Sequence, residues 1–220
     1  MELIMALGGV ILMDLLLAGD NAVIIALASH RLPKVQRRKA ILWGSFGAVI
    51  FRVLLIAVAT KLLTIPYLQF VGGLALLYIA VSLTAEKKEA HCREAVSLWE
   101  AIKIIVVADV IMSLDNVLAI AGTATGMGGE HQLLVIIVGL AVSIPLVVFG
   151  SHLILKIMDK YSVVIYAGAA VLGLAAAKMM VQDGALSAYL IPYQTILEVT
   201  LTAGVVVVGL LLKLRIKIVR

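Results

Sequence analysis

The chain of 220 residues holds one cysteine, Cys92, so it can form no internal disulfide, and that residue says nothing about redox compartment. Charge is scarce too, at 14% of residues, while 63% are hydrophobic. A water-soluble domain carries roughly 25% charged and about 45–50% apolar residues. With a mean hydropathy of +1.16, this composition excludes a soluble globule. A basic segment ahead of the first apolar run is also lacking, since "MELIMALGG" carries Glu2 and Asp14 interrupts the run. A cleaved leader is therefore not expected, and the first apolar segment should remain as a membrane span.

What is present is a series of apolar runs long enough to cross a bilayer, separated by short polar breaks. They predict helices at about 3–29, 40–62, 66–84, 97–122, 132–155, 163–182 and 195–213. The expected fold is an all-α membrane protein of seven transmembrane helices, one domain over residues 1–220 with no soluble part. Loops 30–39, 85–96 and 156–162 and the C-terminal tail together hold 14 of the 18 Lys and Arg, against Lys61 alone on the opposite side. That bias places the N-terminus outside and the C-terminus in the cytoplasm, in the inner membrane. The net charge of +5 then reflects basic loops facing anionic lipid, and no nucleic-acid partner is expected. Homo-oligomerisation is left open.

An internal repeat is the most informative feature. At an offset of 95 residues, Asp14 superposes on Asp109, Asp20 on Asp115, Asn21 on Asn116, Gly44 on Gly139 and Gly73 on Gly168. The offset holds across three helices. Because three is odd, the second copy (about 97–182) must enter the membrane from the side opposite to the first (about 3–84). The chain reads as an inverted 3+3 repeat plus one C-terminal helix, an organisation that places a site near the bilayer midplane. Asp20 is then expected at the depth of Asp109, and Asp14 at that of Asp115. Residues six apart on a regular helix diverge by about 120°, so two depths of site or a break in the first helix, with Gly19 the candidate, is needed.

One Asp at a helix centre costs about 2.5–3.5 kcal/mol on insertion scales, so four cost on the order of 10 kcal/mol, comparable with a whole domain's stability. They must be protonated, paired, or facing a cation. The candidate metal ligands are Asp14, Asp20, Asn21, Asp109, Asp115 and Asn116. These hard oxygens favour Mg²⁺, Ca²⁺ or Mn²⁺ over Cu or Zn. Met13 and Met112 flank the motifs; as softer donors they would tilt selection toward Mn²⁺, and as ordinary apolar filler they would not. Arg52 lies near the middle of the second helix with Val147 as its repeat mate, and serves either as an internal neutraliser of an empty site or as a fixed ion-pair partner. Lys103 and Lys178 read as snorkelling residues, His152 as interfacial, Pro145 as a kink, and Ala169, Gly173 and Ala177 as a ridge for close helix packing. The loop "GTATGMGGEH" from Gly122 to His131 reads as mobile on the outer face.

The doubled pattern of an acidic residue, five residues, then Asp-Asn, in "DLLLAGDN" and "DVIMSLDN", resembles the TerC family of integral membrane proteins, particularly its short YjbE-like branch, over about residues 3–213. Many relatives carry Glu where this chain has Asp14, whose reach is about one methylene shorter. The resemblance implies a place among LysE-like exporters, with Mn²⁺ efflux, tellurite resistance or metal supply to exported proteins as associated roles. The expected function is divalent metal transport, with Mn²⁺ as cargo and proton antiport as a driving force, without cofactor and without enzymatic activity. An exporter of amino acids or small organic cations is an alternative, although no aromatic residue neighbours the six motif residues. A membrane partner that passes metal to the secretion machinery is another. An intramembrane aspartyl protease would need a Gly-x-Gly-Asp pattern that "AGDN" and "SLDN" both lack.

Overall fold

The computed structural model describes Gly8 and residues 19–62, 65–84, 97–123 and 129–218. Within these residues the chain is helical, with no strand. The helices are α1 (Gly19–Ser29), α2 (Lys34–Leu62), α3 (Leu68–Thr84), α4 (Leu98–Thr123), α5 (Gly129–Lys160), α6 (Val163–Val181), a short α7 (Ser187–Leu190) continued by a 3₁₀ turn (Ile191–Tyr193), and α8 (Gln194–Ile218). A bilayer offers no water to spare backbone N–H and C=O groups, and helices satisfy them within one segment.

Four stretches are long and apolar enough to cross a membrane: Lys34–Ile56, Ile137–Lys160, Val163–Val181 and Ser187–Leu214. α1 and α3 are apolar but shorter among the described residues. The chain is thus a multi-pass helical membrane protein.

Which face of each helix is buried shows its place in the bundle. In α1 the residues Asn21, Ala22 and Ile24 to Ser29 are all buried, so this helix is enclosed on every side. α2 and α8 instead expose large apolar side chains, Leu42, Trp43, Phe46 and Leu54 on one and Ile196, Val199 and Leu211 on the other. Those faces suit hydrocarbon. Trp43, Trp99 and Tyr161 lie exposed toward the end that carries Arg31 and Lys160, whereas Tyr67, Tyr189 and Tyr193 lie at the opposite ends of their helices. This is the distribution of two interfacial aromatic belts.

Two packed groups make up the bundle. α2 lies against α4 and α5, and α3 lies against α6 and α8. Small residues set the closeness: a Cβ on Gly44 would stand 2.8 Å from Ile105 Cδ1, and one on Gly73 would stand 2.8 Å from the Ala176 carbonyl oxygen. Ala169, Gly173 and Ala177 are buried as the packing ridge expected of them, with Gly173 against Thr202 and Val205 of α8.

Some helix bounds depart from the expectation. α2 begins at Lys34, inside the stretch "HRLPKVQRRK" expected to be a loop, because Pro33 starts a helix well and its carbonyl accepts the Arg37 N–H at 2.8 Å. No acidic residue sits in that first turn. The cationic start is offset across the bundle, where Arg37 meets Asp159 at 2.8 Å and His30 meets the same carboxylate at 3.4 Å. α5 extends to Lys160 and continues as one helix through Pro145, and α8 extends to Ile218. The middle of the expected outer loop, residues 124–128, and the basic loop 85–96 with Cys92 lie outside the described residues. Lys103, Lys178 and His152 are exposed, as expected of snorkelling and interfacial groups.

Asp183, which the sequence did not single out, is 1% exposed and ties two elements together. Its Oδ1 accepts the Ala185 N–H at 3.0 Å, its Oδ2 accepts the Phe70 N–H of the first turn of α3 at 3.2 Å, and its carbonyl accepts from Leu186 and Ser187. Replacing Asp183 by Ala strands two part-buried donors, so the variant is expected to lose about 1 kcal/mol of stability, read as a lowered melting temperature in detergent.

Burial pushes the His30 imidazole below its ordinary value, with Asp159 opposing and Arg37 and Arg31 assisting. The unfolded chain therefore binds a proton more readily than the folded one. Stability should fall as pH drops through about 6.5, the ordinary histidine value, and thermal melts of His30→Gln should show a flatter profile there.

Candidate functional site

A cavity opens where α1, α2, α4 and α5 meet, lined by Asn21, Ile25, Ser45, Ala48, Val49, Arg52, Asp109, Leu140, Ile144 and Val147. Its polar groups are few and come from three helices. α1 brings Asn21, α2 brings Ser45 and Arg52 two turns apart on one face, and α4 brings Asp109. About 30 Å³ is open to the centre of a water-sized sphere. That admits a water molecule or a single ion, since a water needs about 10–15 Å³ by this measure.

Arg52 and Asp109 form the centre of the site. They are 4% and 5% exposed, and Nη2 of Arg52 donates to Asp109 Oδ1 at 2.6 Å. Arg52 Nε donates to Ser113 Oγ at 3.0 Å, and Ser113 Oγ donates to Asp109 Oδ2 at 3.2 Å. The three side chains close a ring. Ser113 follows Asp109 by four residues, which puts both on one face of α4. A buried ion pair holds only when its remaining donors and acceptors are satisfied, and the serine supplies that here.

Asp20 stands beside this ring, partly buried, with its Oδ1 accepting the Asn21 N–H at 2.9 Å. It lies within electrostatic range of both neighbours: Arg52 attracts its carboxylate and Asp109 repels it. The guanidinium is bonded to Asp109 and acts on Asp20 only through space. Ser45 Oγ, buried in the cavity wall, has no hydrogen-bond partner among the described residues.

Of the six expected ligands, the structure places Asn21 and Asp109 on the wall of one cavity, with Asp20 next to Asn21 in α1 and within electrostatic range of Asp109. Asp14 lies outside the described residues; Gly19, where a break was expected, is the first described residue of the continuous α1, and residues 9–18 before it lie outside the description. Asp115 and Asn116 fall within α4, but their side chains are not described. Among the described residues, no three His, Cys, Asp or Glu side chains converge as a metal site. Ser113 and Ser45 were missed by sequence reasoning. Ser113 had a signal available, its i+4 spacing from Asp109 within "DVIMSLDN"; Ser45 had none.

The ring should respond to mutation as a unit. Arg52→Met leaves the Asp109 carboxylate buried without its partner, and is expected to cost about 3–5 kcal/mol. Arg52→Met combined with Asp109→Leu should recover most of that loss in a thermal unfolding cycle.

The family model described as "Integral membrane protein TerC family" matches residues 1–219. The chain is 46% identical over 184 residues to the uncharacterized membrane protein YjbE of Bacillus subtilis, covering 83% of this chain and 82% of that one. It is 26% identical over 161 residues to the uncharacterized membrane protein YkoY of the same organism, covering 66% and 50%. To the UPF0053 protein YegH of Escherichia coli it is 29% identical over 176 residues, covering 70% of this chain and 32% of the relative. The chain thus spans half or less of those two longer relatives. No solved structure matches it.

Proposed function

Because the chain belongs to the TerC family of integral membrane proteins, we propose that it is a divalent metal ion transporter, moving Mn²⁺ out across the cytoplasmic membrane. The observation that carries this reading is the buried Arg52–Asp109 pair at the wall of an ion-sized cavity, with Asp20 and Asn21 beside it. Arg52 acts as a tethered stand-in for the cargo. It neutralises the carboxylates when the site is empty and yields them when a cation enters. Asp20, Asn21, Asp109 and, by the repeat, Asp14, Asp115 and Asn116 would supply the oxygens, a set suited to hard divalent ions. Protons can take the cation's place on the carboxylates for the return step, which is how a proton gradient would drive efflux.

The lining of the cavity supports the inverted 3+3 repeat. Ser45 and Leu140, Val49 and Ile144, and Arg52 and Val147 are pairs separated by 95 residues, and all six line this one cavity. A pseudo-two-fold axis crossing the site would bring such mates together. The proximity of Asp20 to Asp109 fits the same axis. On this reading the N-terminus is outside and the basic loops are cytoplasmic.

The small volume of the cavity favours an inorganic ion over an amino acid or organic cation as cargo. A role in passing metal to exported proteins is compatible with the same site. The arginine on Asp109 disfavours an aspartyl-protease dyad, in which the two carboxylates share a proton.

Proteoliposome flux tests the proposal. Wild type should export Mn²⁺ in response to a pH gradient, and Asp109→Asn, Asp20→Asn and Asp115→Asn should each lose at least about ten-fold, the scale of one 1.4 kcal/mol contribution. Arg52→Gln should keep Mn²⁺/Mn²⁺ exchange while losing net flux, since only the empty carrier needs the surrogate charge. Wild-type liposomes that move no divalent ion in a panel of Mn²⁺, Mg²⁺ and Ca²⁺ would sink the transporter. Equal loss of exchange and net flux in Arg52→Gln would reduce the pair to a structural one.

A further inference from the structure

A second cavity, of about 240 Å³, lies at the end of the bundle where the basic segments gather. It is enclosed by the end of α1, the end of α3, the start of α6 and the last turns of α8, which contribute His30, Arg31, Thr84, Ser162, Tyr166 and Lys213 among its walls. Two cationic side chains, Arg31 and Lys213, face one space with the His30 imidazole as a further N–H donor. No carboxylate is among the described residues that line it; Asp159, which meets Arg37 at 2.8 Å and His30 at 3.4 Å, is not part of its wall.

The basic groups are positioned rather than free to wander. Arg31 donates from Nη2 to the Leu83 carbonyl at 3.1 Å, which anchors its guanidinium at the end of α3. Lys213 Nζ stands 5.5 Å from the centre of the Tyr166 ring, a cation–π distance that keeps the ammonium over the cavity. The α6 N-terminus opens on the same space through Ser162, Ile165 and Tyr166, and adds the positive end of a 19-residue helix. Ser162, at the N-cap position, makes no side-chain hydrogen bond to that helix, so its hydroxyl is not committed to capping.

A cationic pocket between membrane helices with hydroxyl donors suits a tetrahedral, multiply accepting anion. We propose that this cavity binds a phosphate group, either the headgroup of an anionic phospholipid or free phosphate, between Arg31, Lys213, His30 and the α6 N-terminus. Such a ligand would tie the end of α1 to α3, α6 and α8 at a site separate from the Arg52–Asp109 cavity. It requires no transport activity and is independent of the cargo assigned above.

The test is thermal unfolding of the full chain, purified in a phosphate-free detergent, titrated with sodium phosphate in one arm and short-chain phosphatidylglycerol in the other. At least one probe should raise the melting temperature saturably, and a response to phosphatidylglycerol alone assigns a lipid headgroup. Lys213→Gln should weaken the apparent affinity by about five-fold or more, the effect of about 1 kcal/mol per basic residue, and Lys213→Arg should retain it. Arg31→Gln provides a second, independent removal of charge. A shift reproduced by sodium chloride at equal ionic strength, no shift with either probe, or equal affinities in wild type and both Gln variants would overturn the proposal.

Discussion

The Arg52–Asp109 ion pair is the constraint on which the centre of this membrane protein depends. Two opposite charges taken out of water recover their desolvation cost only at short range and with every remaining donor and acceptor engaged. The 2.6 Å contact meets the first condition, and the serine engages Arg52 Nε and Asp109 Oδ2 toward the second. They also fix α2 against α4 at one register, since neither helix can slide without separating the charges. The close seating of Gly44 on Ile105, two turns away on α2, allows the approach that the ion pair requires.

Around that pair the bundle inverts the soluble pattern. Its polar groups lie inside, and its large apolar side chains on α2 and α8 face outward. The inward polarity is concentrated in two places: the cavity between α1, α2, α4 and α5, and the basic cavity at one end. Elsewhere the interior is mostly Ile, Leu, Ala and Met, with glycine where helices touch and Asp183 as a third buried polar point. Confining polarity in this way keeps the cost of burial local.

Much of this was legible in the sequence. Apolar run length gave the helices, because a bilayer demands backbone hydrogen bonds within each segment, and the basic stretches marked the end at which Arg31, Arg37, Asp159 and Lys213 gather. Asp20, Asn21, Asp109 and Arg52 stood out because charge and amide are costly among apolar neighbours. Helix ends were less legible. Arg37, Arg38 and Lys39 looked like loop residues by their charge, yet they begin α2 because Asp159, 122 residues away, compensates Arg37. Ser113 and Ser45 were hidden for a different reason: a serine is cheap in a helix, and its importance arises only from what stands across the interface. Asp183 was invisible because its partner, the Phe70 N–H, belongs to a distant helix start.

The Asp183 carboxylate has a mechanical meaning beyond its hydrogen bonds. It grips α3 from the first half of the chain and the turn after α6 from the second, at the same end where Gly73 seats against Ala176. A torque that rotates one half of the chain against the other cannot pass between α3 and α6 without tearing this clasp. These two helices are thereby fastened at the end of the bundle that bears Asp183, apart from the ion-sized cavity that α1, α2, α4 and α5 line.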